Sequence, residues 1–170
     1  MFRRMSDPKA AREAERLRVP GAAFLVSQVG SHSSGLWRER MARLDLDSRE
    51  VVLLRHVAAA EGQSQQALAE ALQIPASRMV ALVDGLEGRG LVQRRPIRGD
   101  RRVRALHLTP EGRRVLRKVM KASADHEAEL CAGLDPSDRE HLIALLSRVA
   151  AEQGLATGVH PGVAEEQPSR

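Results

Sequence analysis

The side chains best equipped for chemistry in this chain are arginines, and they cluster. Between Arg94 and Lys118 lie ten basic residues against two acids, Asp100 and Glu111, a net +8 in a protein whose whole formal charge is +5. The rest of the chain is therefore net acidic. A guanidinium is a permanent cation with planar, forked donors, suited to gripping phosphate or a base edge and unsuited to proton transfer. The densest run, Arg94-Arg95-Pro96-Ile97-Arg98-Gly99-Asp100-Arg101-Arg102, has a turn-forming glycine near its centre. Charge concentrated this way is the footprint of a nucleic-acid surface; the bland alternative is a solvated basic face. The sequence shows no nucleophile paired with a base, no glycine-rich phosphate loop and no metal motif at ligand spacing, so no enzymatic activity and no cofactor are expected.

Such a loop needs elements to aim it, and the chain supplies them in series. Asp47-Ser48-Arg49-Glu50 is a capping box opening a helix through Val51, Leu53, Leu54 and Val57, which Gly62 ends. Ser64 caps a second helix whose Leu68 and Leu72 are buried one turn apart. Ile74-Pro75 makes the turn into a third helix, beginning at Pro75 or Ala76. Its inner face is predicted to be Met79, Val80, Val83 and Leu86, leaving Ser77, Arg78 and Ala81 outward. Residues 92–95 and 103–108 suit two short strands with a tip at 98–101. Thr109-Pro110-Glu111 then starts a helix running to about residue 132, and Asp135-Pro136-Ser137-Asp138 repeats that signal for a last helix through Leu142, Ile143, Leu145, Leu146 and Val149.

Upstream, residues 21–44 carry a helical rhythm (Phe24, Leu25, Val29, Leu36, Trp37, Met41) weakened by Gly30 and Gly35, giving one long helix with a soft middle or two shorter ones. Residues 1–20 read as a partly flexible N-terminal extension and 153–170 as a disordered tail. The fold class expected is mainly α with a small two- or three-stranded β-wing: a winged helix-turn-helix at 47–109 carried on a helical region made of 21–46 and 110–152. Aromatics are only 2% of the chain, which argues against binding single strands on stacking platforms. One cysteine, Cys131, excludes an intrachain disulfide and fits a reducing compartment. With no apolar run of bilayer length and no secretory signal at the charged N-terminus, no membrane association and a cytoplasmic location are expected.

Four segments in register then resemble the MarR family of transcriptional regulators. They are Gln65-x-x-Leu68-Ala69; Val83-Asp84-x-Leu86-Glu87-x-x-Gly90-Leu91-Val92-x-Arg94; Asp100-Arg101-Arg102; and Leu108-Thr109-x-x-Gly112. The likeness runs over roughly residues 44–149. It implies a winged helix-turn-helix on a homodimer, a pseudo-palindromic operator in double-stranded DNA, action as a repressor, and release by a small-molecule effector or by cysteine oxidation. By the same resemblance Arg102 is the arginine that enters the minor groove and Asp100 the acid that orients it. The family's oxidation-sensing cysteine would lie near the start of the first helix, where this chain has none.

The physical reading of the residues assigns the remaining roles. Ala76, Ser77 and Ala81 are small enough to let a recognition helix sit deep in the major groove, and Arg78 can fork onto guanine or meet a phosphate. Ser64 and Gln65 at the preceding helix start suit the DNA backbone, as do Arg98 and Arg101 on the wing, where Arg94 is a further DNA-binding candidate. Trp37, Arg40 and His56 are candidates to line an effector cleft; the duller assignment makes Trp37 core and His56 an ordinary helix residue. No metal site is expected from the histidines, since only His126 near Cys131, Glu127 and Glu129 approaches a cluster. The long helix after Pro110 has more apolar surface than a small winged domain covers, which points to a second copy as partner, with ordinary core as the alternative. A winged helix that binds protein instead of DNA is the competing class, though it has no need of Asp100-Arg101-Arg102 or of the basic window.

Overall fold

The computed structural model describes residues 20–97 and 100–155, with the backbone alone at 97 and 100–103. The expected extension at 1–19, the tip residues Arg98 and Gly99, and the tail at 156–170 lie outside the described residues. Among those described, the order is α1 (Ala22–Ala42), α2 (Ser48–Ala59), α3 (Gln65–Ala71), α4 (Ala76–Gly88), β1 (Val92–Ile97), β2 (Asp100–Leu108), α5 (Pro110–Leu130) and α6 (Pro136–Glu152). The chain divides into two units, 1–37 and 38–170. Helix α1 is continuous through Gly30 and Gly35 and ends in the second unit; of its residues in the first, Phe24, Leu25, Val26 and Val29 are exposed.

The second unit holds the core. Met41, Leu53, Leu54, Val57, Leu68, Met79, Val83, Leu86, Val92, Leu106 and Val119 are all fully buried. Local sequence explains most helix starts. The Asp47 carboxylate accepts from the Glu50 amide at 2.8 Å while Glu50 accepts from the Asp47 amide at 3.0 Å, the reciprocal capping box. Ser64 Oγ accepts from Ala67 N at 3.1 Å, and Asp135 Oδ1 from Asp138 N at 2.9 Å. Helix α4 differs: Pro75 precedes it and no side chain caps it. The turn from α3 to α4 is made at Gln73, whose φ is +53°, one position before the Ile74-Pro75 pair expected to make it. Ile74 is buried there, its amide donating to Ala69 O at 3.0 Å.

The wing is a two-stranded antiparallel sheet, Val92 opposite Leu108 and Pro96 opposite Arg104. Both strands are longer than expected, because the ladder continues to Ile97 opposite Asp100 after a shift at Pro96, which has no N–H to contribute. The third strand shrinks to a single bridge between Ser64 and Ala105. Around it Gly62 N donates to Leu106 O and Leu106 N to Gln63 O, fastening the wing base to the start of α3. Gly62 (φ +91°) makes the turn that allows this.

Two glycines join the wing to its neighbours. Gly90, at φ +68°, ends α4 and lets Leu91 N return to Leu86 O at 2.9 Å. Gly112 has an ordinary backbone but no room: a Cβ there would lie 1.9 Å from Leu91 O. Thr109 secures the same corner, accepting from Gly112 N at 3.0 Å and donating to Gly90 O at 2.6 Å. No residue of α6 is buried.

Candidate nucleic-acid interface

Helix α4 presents the face expected of it. Met79, Val83 and Leu86 are buried inward, Ala76, Ser77 and Ala81 are exposed, and Arg78 is half-buried without an ion pair to any described residue. Val80 departs from expectation: it is 42% exposed, not core. It sits a quarter-turn off the inward row and lines an open groove of about 640 Å³ with Ile74, Pro75 and Met79. Because α4 lacks a side-chain cap, its first amides have no helix-internal or capping partner, an arrangement suited to an anion.

Strand geometry divides the wing arginines. Arg94 pairs across the ladder with Leu106 and turns toward the body, whereas its neighbour Arg95 is exposed. The Arg94 guanidinium is bound to Glu87 through Nη1, to Asp84 through Nη2 at 2.6 Å, and to Gln65 Oε1 at 3.1 and 3.3 Å. Its own amide donates to Glu87 Oε1 at 3.0 Å. Burial works against its charge most strongly, yet the Asp84 and Glu87 carboxylates outweigh that and hold its pKa above the ordinary arginine value. The expected DNA-facing role of Arg94 thus meets a side chain already engaged, and Gln65 shares that engagement. Ser64 spends its hydroxyl on the α3 cap.

Arg95 and Arg104, which sequence reasoning did not single out, are exposed near the wing and make no ion pair with a described residue. For Arg95 strand alternation was the available signal, since the neighbour of the inward Arg94 must point the other way; Arg104 shares the face of Arg94 and Leu106 and is exposed by its place farther along the ribbon. Asp100, Arg101 and Arg102 open β2, so the backbone carries them at the far end of the ribbon from the core. Arg98 lies outside the described residues.

The candidate cleft residues have intramolecular partners of their own. Arg40 pairs with Glu129 of α5, and His56 Nδ1 lies 2.9 Å from Val52 O. Trp37, in the first unit, is half-buried. Arg113 pairs with Glu61 at 2.7 Å, and this bond, with a lesser contribution from the Leu108 amide, holds the Glu61 carboxyl below its usual range against the opposing effect of burial. Cys131 is a half-buried free thiol with Glu127 3.9 Å from its sulfur. No helix among the described residues is long and apolar enough to cross a membrane.

The family model described as "MarR family" matches residues 44–103, which span α2 to the wing. The HTH-type transcriptional regulator PecS of Dickeya dadantii (strain 3937) is 32% identical over 111 residues, covering 64% of this chain and 67% of that protein. The chain belongs to the MarR family. A second relative, a putative transcriptional regulatory protein for the hcr operon of Thauera aromatica, is 36% identical over 97 residues, 57% of this chain and 58% of its own length. The chain thus spans about three fifths to two thirds of these curated relatives. Among solved structures, the transcriptional repressor CouR bound to a 23-mer DNA duplex superposes with a TM-score of 0.65 at 28% identity, over 85% of this chain and 99% of that one. The MarR winged helix-turn-helix is therefore the fold of this protein, and in it Gly90 has a backbone reason, its left-handed φ, and Gly112 a packing reason.

Proposed function

We propose that this protein is a homodimeric regulator of transcription that binds double-stranded DNA with sequence preference, as a repressor at a pseudo-palindromic operator. The observation that carries the reading is the juxtaposition of two unspent surfaces on one rigid core. Helix α4 offers Ala76, Ser77, Arg78 and Ala81, and the adjoining ribbon offers Arg95 and Arg104, with Asp100, Arg101 and Arg102 at its far end. A helix with short outward side chains fits the major groove, and an arginine-bearing ribbon beside it reaches the flanking minor groove, where a narrow A/T-rich stretch favours the cation. Arg98 and Arg101 are assigned to the DNA backbone; Ser64 and Gln65, expected there as well, have their side chains engaged in the α3 cap and the Arg94 cluster. The superposition on a DNA-bound repressor supports this assignment.

A second copy of the chain is the assigned partner of residues 21–46 and 110–152. Helix α6 is 17 residues long with nothing buried, and Leu142, Ile143, Leu145, Leu146 and Val149 are between 38% and 54% exposed. Helices in proteins draw most of their stability from packing an apolar face, and an apolar stripe of this size calls for a cover. Two copies would then present their α4 helices to successive major grooves. Release by a small effector belongs to the same proposal, with thermal-shift screening of small aromatic acids as its assay.

The test is a titration of duplex DNA at several salt concentrations with the parent protein and Arg102→Ala. Affinity should fall linearly with salt on logarithmic axes, by roughly 0.9 per phosphate neutralised. Arg102→Ala should lose about 1–3 kcal/mol per half-site, most where the DNA under the wing is A/T-rich. A flat salt profile, or a variant equal to the parent, would refute the reading.

A further inference from the structure

We propose that Arg94 acts on DNA binding as a positioning residue: it is a strut that fixes the wing against the recognition helix and touches no phosphate. The inference rests on the DNA-binding reading above and deepens it. One guanidinium joins three elements, Gln65 at the first position of α3, Asp84 and Glu87 on α4, and its own strand β1. Asp84 and Glu87 are three residues apart, so they stand on the same side of α4 and converge on a single cation. Around Arg94 the local charge is two carboxylates against one guanidinium, net negative, which repels phosphate. Only 21% of the Arg94 side chain is exposed, and its donors are directed at these three partners. Arg95, next in sequence on the opposite face of the strand, is exposed and has no such ties.

Both the reading of the major groove and the insertion into the minor groove depend on a fixed offset between α4 and the ribbon. Backbone bonds between 62–64 and 105–106 fasten the β2 side of the wing base to the chain before α3. The Arg94 strut is the tie on the β1 side, and the only side-chain ion pairs between α4 and the wing among the described residues belong to it. Loosening it leaves both DNA-contacting surfaces intact and lets their spacing vary, which penalises the two-groove grip.

The sign of one substitution separates this role from a phosphate contact. Asp84→Asn with Glu87→Gln removes two negative charges per protomer and frees Arg94. If Arg94 contacts phosphate, that variant binds DNA more tightly. A strut requires the reverse: roughly tenfold weaker binding to a duplex selected by the protein from random sequence, despite the added positive charge. Arg94→Gln should weaken binding by a similar factor, leave the salt slope unchanged, and add nothing when combined with the double variant. Arg94→Lys, which keeps the charge and one arm, should recover part of the loss. Active-site titration against excess duplex gives the binding-competent fraction, and Kd is measured on that fraction well below Tm.

Tighter binding by Asp84→Asn/Glu87→Gln, a salt slope reduced by about two per dimer in Arg94→Gln, or an unchanged Kd with fewer competent molecules would each overturn the proposal. Failure of the parent protein to hold any duplex would overturn the DNA-binding reading with it, whereas the first three results leave that reading standing.

Discussion

Gly112→Ala adds one methyl group to the third position of α5, and it should unfold the corner where that helix meets the wing. The new Cβ would lie 1.9 Å from Leu91 O and 2.9 Å from Leu91 C. A carbon and a carbonyl oxygen rest roughly 3.3 Å apart, so about 1.4 Å of separation has to be made. Neither side yields easily. Leu91 is buried, its carbonyl accepts from Thr109 N at 3.1 Å, and Thr109 is itself tied to Gly90 O and to Gly112 N. Overpacking of this kind costs about 1–3 kcal/mol, and loss of the Leu91–Thr109 bond with its partners still buried adds about 1–3 kcal/mol. Helix propensity returns at most ~1 kcal/mol. A net loss of about 2–4 kcal/mol follows, or roughly 5–15 °C in Tm for a chain of this size.

The assay is thermal unfolding followed by circular dichroism at fixed protein concentration, with Gly85→Ala as the paired control. Gly85 lies inside α4 with open space where its Cβ would be, so alanine there should be neutral or stabilising by up to ~1 kcal/mol. The two variants carry the same chemical change with opposite expected signs. A Gly112→Ala protein as stable as the parent, or shifted in the same direction as Gly85→Ala, would refute the packing reason given for this glycine.

Three further outcomes are expected. Arg78→Ala should relax base preference at one position per half-site by about 1–3 kcal/mol, read by competition among single-base operator variants; uniform weakening on all sequences would make Arg78 a phosphate contact. Leu146→Asp puts a charge on the exposed stripe of α6, where Leu146 is 42% accessible, and should weaken self-association roughly 100-fold or more in sedimentation equilibrium. An unaltered association constant would remove α6 from the interface. Glu61, held below the usual glutamate range by Arg113, contributes stability that is present above its unfolded titration range and is lost as pH falls through its depressed folded value. The Tm difference between parent and Glu61→Gln should therefore shrink on acidification below the ordinary glutamate range, and a difference that stays constant with pH would contradict the pairing.

What the sequence disclosed was chiefly what is local. Asp47, Ser64, Thr109 and Asp135 each cap a helix within three residues of themselves, so their roles are visible without any tertiary knowledge. The inward row of α4 was visible too, except at Val80. That residue satisfies the helical period but borders a groove that α3 leaves open, and only the placement of α3 reveals it. Arg94 and Arg95 are alike in composition and adjacent in sequence. Which of them faces the body depends on the register Arg94 opposite Leu106 and on Glu87 arriving from α4. The turn at Gln73 was hidden for a different reason: a non-glycine residue at φ +53° carries no compositional mark, whereas the proline two positions later does. The interface residues are the least legible class, because exposed Ser, Ala and Arg side chains are constrained by a partner and not by this chain.

The most direct measurement is a hydroxyl-radical footprint of the purified protein on a duplex it has itself enriched from random sequence. Two copies gripping successive grooves should protect two symmetry-related half-sites centred about 10 bp apart, with further protection in the minor groove outside each. A single asymmetric patch, or no sequence enriched above background, would contradict the proposed two-fold grip on DNA.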